Sequence, residues 1–184
     1  MLKSFAVRNF QSFHEQVHIS LELNKHAPDD KRSFGTGTVS RLTKVLAIIG
    51  PNASGKTTLI KSLAFLDWFI ARSFHAKVDS PIPLISHFGA TNEPSDFQIE
   101  FVMDNKEWRY RYVADEKRVY SESLHCKHTR TFSYVFTRVW NTEESRYEVK
   151  QQQFGFLQKE AERVRENASL ISTAAQYQVP LAQK

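Results

Sequence analysis

A chain of 184 residues with 41% hydrophobic residues is one domain by length and can bury a core, to which 14 Phe, 6 Tyr and 3 Trp bring large apolar side chains. No stretch approaches the ~18 uncharged apolar residues of a membrane span, Met1 to Arg8 breaks into charge too soon for a secretory segment, and the single cysteine, Cys126, can build neither an internal disulfide nor a metal cluster, so a cytoplasmic protein with no membrane partner is expected. The net charge of +5 and pI near 9.3 are compatible with DNA or RNA, but basic and acidic residues interleave along the chain and suit a mixed-charge surface better.

In chain order, Leu2 to Arg8 reads as a strand and Asn9 to Phe13 as its closing turn. Val17, Ile19, Leu21 and Leu23 alternate with His18, Ser20 and Glu22, the pattern of a half-buried strand. Asn24 to Val39 is rich in Asp, Lys, Ser and Gly and reads as a surface loop. Lys44 to Ile49 is an apolar, β-branched run that predicts a buried strand, and Leu59 to Ile70 predicts a helix apolar nearly all round, hence buried between layers. Pro81 and Pro83 mark a connector and His87 to Ser95 a second loop. From Asp96 to Val149 the period changes to two: Phe97 to Met103, a turn at Asp104-Asn105-Lys106, the alternating Trp108, Tyr110 and Tyr112, and the runs Arg118 to Lys127 and Thr131 to Trp140 predict an antiparallel meander. Gly155 to Ala168 has helical composition, and Asn167 to Lys184 is undecided. The expected organisation is a single domain over 1–184: strands, loop and phosphate-loop unit in 1–95, the meander in 96–150, and a helical or undecided segment in 151–184.

The chemistry concentrates in Gly50-Pro51-Asn52-Ala53-Ser54-Gly55-Lys56-Thr57-Thr58, which fits G-x-x-x-x-G-K-[ST] without mismatch between a predicted strand and a predicted helix. Gly50 and Gly55 let the backbone curl so that successive N–H groups face phosphate oxygens, and the helix start adds its positive dipole end. Lys56 supplies charge to the β- and γ-phosphates, the Thr57 hydroxyl is the expected Mg²⁺ ligand, and Thr58 is placed to reach the α-phosphate. The expected cofactors are ATP and Mg²⁺.

Other constellations are weaker. Phe101-Val102-Met103-Asp104 imitates an apolar strand ending in a catalytic acid, but Glu100 interrupts it and Asn105-Lys106 follows, so a hairpin turn fits better; Leu63 to Asp67 lies in the predicted helix. His125, Cys126 and His128 crowd one predicted strand and alternate between its faces, which suits surface polarity better than a metal site.

Three stretches carry a resemblance. Phe5 to Phe13, with Asn9-Phe10 and Ser12-Phe13, is similar to the opening strand of ABC-type ATPase heads of the SMC, RecF and OLD-like group, which includes bacterial AAA family ATPases tied to phage defence. Gly50 to Thr58 is the G-x-N-x-S-G-K form of phosphate loop found in those heads, and Asn167 to Ser172 resembles a segment that often precedes their helical arm. The resemblance implies an α/β P-loop NTPase with an ABC-ATPase-like N-terminal lobe and an antiparallel β-rich block after the phosphate-loop helix. It implies that Asn52 contacts the γ-phosphate or the attacking water, that Pro51, Ala53 and Ser54 line the loop, and that a Q-loop glutamine is among Gln151, Gln152, Gln153 and Gln176. Many relatives carry a cation where this chain has Gln11, and only Arg8 stands nearby to replace it.

Such heads also use a Walker B strand and a signature loop, and neither is recognisable here; the expectation is an N-terminal half completed by a further segment or a second polypeptide. The leading function is an ATP-driven switch that dimerises around ATP and gates an effector nuclease or toxin, in phage defence or DNA maintenance. The alternatives are a nucleotide-binding scaffold without turnover and a self-contained small kinase or GTPase. The GTPase reading is weakened because Asn105-Lys106-Glu107-Trp108 lacks the final Asp of the guanine-reading segment.

Overall fold

Alternation of large apolar with polar residues between 95 and 151 folds, in the computed structural model, into five consecutive antiparallel strands joined by tight turns. The structure describes residues 1–28, 30–35 and 41–184. The five strands are β5 (Ser95–Met103), β6 (Lys106–Ala114), β7 (Val119–Lys127), β8 (Phe132–Asn141) and β9 (Arg146–Gln151). β1 (Leu2–Arg8) joins the free edge of β5, and β2 (Val17–Ser20) closes that side in the order β2-β1-β5-β6-β7-β8-β9. All pairings of this sheet are antiparallel. A short hairpin, β3 (Ser33–Gly35) with β4 (Arg41–Thr43), lies within and beside the segment read as a loop; residues 29 and 36–40 of that reading lie outside the described residues.

The core forms where α1 (Lys56–Arg72) lies on one face of the sheet. Leu59, Leu66 and Phe69 of α1 are buried, and the Phe69 ring stacks on Tyr112 of β6 at 4.6 Å between centroids. Tyr112 in turn stacks on Phe97 of β5 at 4.9 Å, and Phe10 meets Phe97 edge-on at 5.4 Å. The helix is therefore one-faced: Ile60 is 59% exposed, and Lys61, Ala64 and Asp67 also face outward, so the expectation of burial on all sides does not hold.

Three further expectations are corrected. Lys44 to Ile49 is not a buried strand: it has no strand pairing, and Val45 and Ile49 are 67% and 93% exposed. Its apolar composition suits a strand flanked by neighbours on both sides, and the sheet of this chain forms elsewhere, from β1 and β5 outward. β2 stops at Ser20 although burial continues to alternate as far as Leu23. The helical composition of 155–168 yields only the short α2 (Gln158–Glu162), whereas α3 (Leu170–Gln176) begins just beyond it, capped by the Ser169 side chain accepting from the Ser172 N–H at 2.8 Å.

α3 is knitted to the end of α1 and to the sheet at once. The Ser169 N–H donates to the Ser73 hydroxyl (2.9 Å) and the Phe74 N–H to the Ser172 hydroxyl (3.0 Å). Beneath them Glu122 of β7 and Arg138 of β8, both fully buried, form an ion pair at 3.2 Å. Glu122 accepts from the Leu170 N–H and the Tyr110 hydroxyl, while Arg138 donates to the carbonyls of Val164, Arg165 and Ala168.

Candidate nucleotide site

The loop between Gly50 and α1 has the backbone that phosphate binding needs. Ala53 and Gly55 take left-handed conformations at φ 62° and 86°. A Cβ on Gly50 would sit 2.7 Å from the Ser54 hydroxyl, and one on Gly55 would sit 2.7 Å from the Phe13 ring. Gly55 is required by its φ and by the Phe13 ring, whereas at Gly50 a side chain would displace only the exposed Ser54 hydroxyl. The first helical bond of α1 runs from the Leu59 N–H to the Gly55 carbonyl at 3.0 Å, which leaves the N–H groups of Lys56, Thr57 and Thr58 without a helical acceptor. No acidic residue lies in the first turn to neutralise the positive dipole end.

The Lys56 ammonium donates to the carbonyls of Gly50 (2.8 Å) and Pro51 (2.5 Å), so the cation lies back across the loop. Asn52, Ala53, Ser54 and Thr57 are exposed. The Thr58 side chain is buried, and its hydroxyl shares a 2.8 Å hydrogen bond with the Ser12 hydroxyl, so only its N–H remains without a partner in the helix. These features suit a triphosphate: N–H donors without a helical acceptor and an ammonium held only by carbonyls of its own loop. Thr57, with an exposed hydroxyl beside the loop, suits the cation that accompanies a triphosphate. Among the described residues no group of three or more His, Cys, Asp or Glu could hold a metal.

The turn after β1 braces this loop from behind. Asn9 and Gln11 take left-handed φ values of 53° and 50°, and Phe10 and Phe13 exchange backbone bonds of 2.8 and 2.9 Å. That tight closure brings Ser12 to Thr58 and Phe13 to Gly55. The Asn9 side chain is wholly buried, accepting from the His87 N–H (2.9 Å) and donating to the carbonyls of Ala90 (3.0 Å) and Glu93 (2.7 Å). Arg8 pairs with Glu93 at 3.0 Å, so its guanidinium is engaged on the connector. The bracing role of Ser12 and Phe13 was not readable from composition or period; the signal available was the similarity of Phe5 to Phe13 to an ATPase opening strand.

Gly55→Ala is expected to destabilise the fold by about 1–3 kcal/mol, since the new Cβ meets both the left-handed φ and the Phe13 ring. Thermal unfolding checks this, and the double change Gly55→Ala with Phe13→Ala recovers only the clash component.

Other sequence candidates lie apart from the loop. Asp104 and Asn105 form the β5–β6 turn at φ 51° and 57°, and Asp104 pairs with Lys184 at 2.5 Å. Cys126 points into the core while His125 lies on the opposite face of β7. Gln151 ends β9 and bonds Gln158 at 3.1 Å, Gln152 and Gln153 line a cleft with Trp108 and His128, and Gln176 ends α3; none of the four is brought against the phosphate loop by a hydrogen bond.

A glycine-framed loop at a helix start, with a lysine folded over it, is the nucleotide-binding device of the P-loop NTPases. A family model described as "AAA domain, putative AbiEii toxin, Type IV TA system" matches residues 45–172, more than half of the chain. The chain belongs to that AAA domain family, which implies nucleotide binding. Comparison with curated proteins and with solved structures finds no match in either. No described helix is long and apolar enough to cross a membrane.

Proposed function

We propose that this chain forms the ATP-binding lobe of an ABC-type head of the SMC, RecF and OLD-like kind, which hydrolyses ATP once acidic residues from outside this chain reach the phosphate loop. The observation that carries the reading is the phosphate loop itself, with Lys56 free to exchange two carbonyl acceptors for phosphate oxygens. In this reading the N–H groups from Gly55 to Thr58 hold the phosphates and Lys56 binds between the β and γ positions. The Asn52 amide donates to the γ-phosphate or orients the attacking water, with Gly50, Pro51, Ala53 and Ser54 shaping the loop. Thr57 would hold Mg²⁺, which when bound neutralises charge shared by the two terminal phosphates.

The exposed apolar run Val45 to Ile49 supports the need for a further strand. Pairing along it would bury Val45 and Ile49 and bring a strand end beside the loop, where a general base is needed. Two heads closing on ATP would form a homodimer, and the toxin named in the family description favours a gated effector, a toxin or nuclease, in defence or DNA maintenance.

The test is steady-state ATP hydrolysis by the full-length product, with and without DNA, alongside its mass in solution with and without Mg·ATP. The expected result is turnover and an ATP-dependent doubling of mass. Binding without turnover or dimerisation favours the scaffold reading.

A further inference from the structure

A hydrogen bond between two hydroxyls joins the first turn of α1 to the chain behind the phosphate loop. Those of Ser12 and Thr58 lie 2.8 Å apart. Ser12 is exposed and Thr58 is buried, so a surface turn reaches into the helix start at this point. The turn itself has little freedom. Phe10 and Phe13 exchange backbone bonds, the Gln11 N–H donates to the Ile85 carbonyl (2.8 Å), and the buried Asn9 side chain accepts from the His87 N–H (2.9 Å). Ser12 is therefore a fixed partner, held by β1 and the connector before β5 and not by α1.

Ser12 closes off an alternative that Thr58 would otherwise have. A threonine in a helix can turn its hydroxyl onto the carbonyl three or four residues earlier. For Thr58 those carbonyls belong to Gly55 and Ser54, both in the phosphate loop. A bond to Gly55 competes with the Leu59 N–H, which donates to the same carbonyl at 3.0 Å; a bond to Ser54 draws that peptide toward the helix. Back-bonding of this kind bends helices. Either bond re-aims the N–H groups of Lys56, Thr57 and Thr58, which have no helical acceptor. Backbone N–H groups bind an anion through their common direction, so the aim decides the affinity.

We propose that Ser12 is a positioning residue for the bound triphosphate: it holds the Thr58 hydroxyl off the loop carbonyls and so keeps the loop N–H groups aimed at phosphate. The proposal rests on the phosphate-loop reading above. Ser12 touches no phosphate in it, and its whole effect on the ligand passes through Thr58. Affinity at one end of α1 is thereby tied to a residue more than forty positions earlier in the chain.

The test is Mg·ATP binding by calorimetry on the full-length protein, as a cycle of Ser12→Ala, Thr58→Val and the two together. Ser12→Ala is expected to weaken ATP about three- to tenfold, the contribution of one hydrogen bond, and Ser12→Thr to bind as wild type does. Because Ser12 is exposed, its alanine removes no packing, and thermal unfolding without nucleotide is expected to stay close to wild type. Valine has the shape of threonine but no hydroxyl to turn, so the loss caused by Ser12→Ala is expected to vanish where Thr58 is already replaced by valine. Unchanged ATP affinity in Ser12→Ala overturns the positioning role. A loss by the same factor in the Thr58→Val background overturns it as well, and would set Ser12 against the nucleotide itself. In both cases ATP binding that falls with Lys56→Ala leaves the phosphate loop standing. Wild-type protein that does not bind ATP overturns the phosphate-loop reading and the role of Ser12 with it.

Discussion

Lys56→Ala is expected to weaken Mg·ATP binding by about 100-fold while leaving the unliganded fold intact. The ammonium makes two hydrogen bonds, both to carbonyls of its own loop, and is not part of the buried core. Alanine is a good residue at the start of a helix, so loss of those exposed bonds is worth within ~0.5 kcal/mol of stability. Toward a triphosphate the balance differs, because the same donors then face full negative charges. Two charge-assisted hydrogen bonds at about 1.5 kcal/mol or more each give roughly 3 kcal/mol, which is about 100-fold in affinity. Thermal unfolding reads both halves. Without nucleotide the variant and wild type unfold together; with ATP at ~100 times the wild-type Kd, wild type gains about 2.7 kcal/mol and the variant much less. A variant that keeps the ATP-induced gain would show that Lys56 does not hold phosphate. Lys56→Arg is expected to fall between the two, since it keeps the charge but brings a planar fork that suits the curled loop less well than a compact ammonium.

The parts of the fold legible from sequence are those set by local pattern. The alternation in Phe97 to Met103 and Trp108 to Tyr112 gave β5 and β6, and Asp104-Asn105 gave their turn, since both residues tolerate a left-handed backbone. Val45 to Ile49 misled because burial is decided by neighbours, not by composition: an apolar run reads as a core strand wherever its partners come from. The one-sidedness of α1 escaped because Ile60 breaks the apolar stripe outward, and hydrophobicity summed around the helix hides that. At the candidate site the glycines and Lys56 were legible as a motif, but the brace from Ser12 and Phe13 spans more than forty residues of chain and has no local signature. Glu122 and Arg138 left a trace that could have been read. Glu122 is in phase with Leu124 and Cys126, and Arg138 with Phe136, so both charges occupy inward positions of their strands.

Those two charges carry the largest expected stability effect. Arg138→Met is expected to cost about 3–5 kcal/mol at neutral pH, because it leaves the Glu122 carboxylate buried without a counter-charge and strips donors from the carbonyls of Val164, Arg165 and Ala168. The wild-type Arg138 guanidinium also lies 3.7 Å over the Tyr147 ring, whose hydroxyl burial pushes up to about 12. Burial raises the pKa of Glu122 above the ordinary glutamate value, opposed by Arg138, the Leu170 N–H and the Tyr110 hydroxyl. A carboxyl with a raised folded pKa stabilises most below its unfolded pKa, and that contribution is lost as pH rises through the folded value. Removing Arg138 removes the first of the opposing influences, so the raised value climbs further and the loss on the alkaline side grows. The deficit of Arg138→Met relative to wild type should therefore shrink on acidification, as Glu122 becomes neutral and no uncompensated charge remains. Urea denaturation of both proteins across the acid-to-neutral range measures it. Adding Glu122→Gln to Arg138→Met should recover part of the neutral-pH loss, because a neutral amide can still accept from the Leu170 N–H without a stranded charge. A deficit that stays constant with pH, or a double variant no more stable than Arg138→Met alone, would assign the loss to the three carbonyls. The segment from Val164 to Leu170 would then be held to the sheet by hydrogen bonds, with the ion pair contributing little.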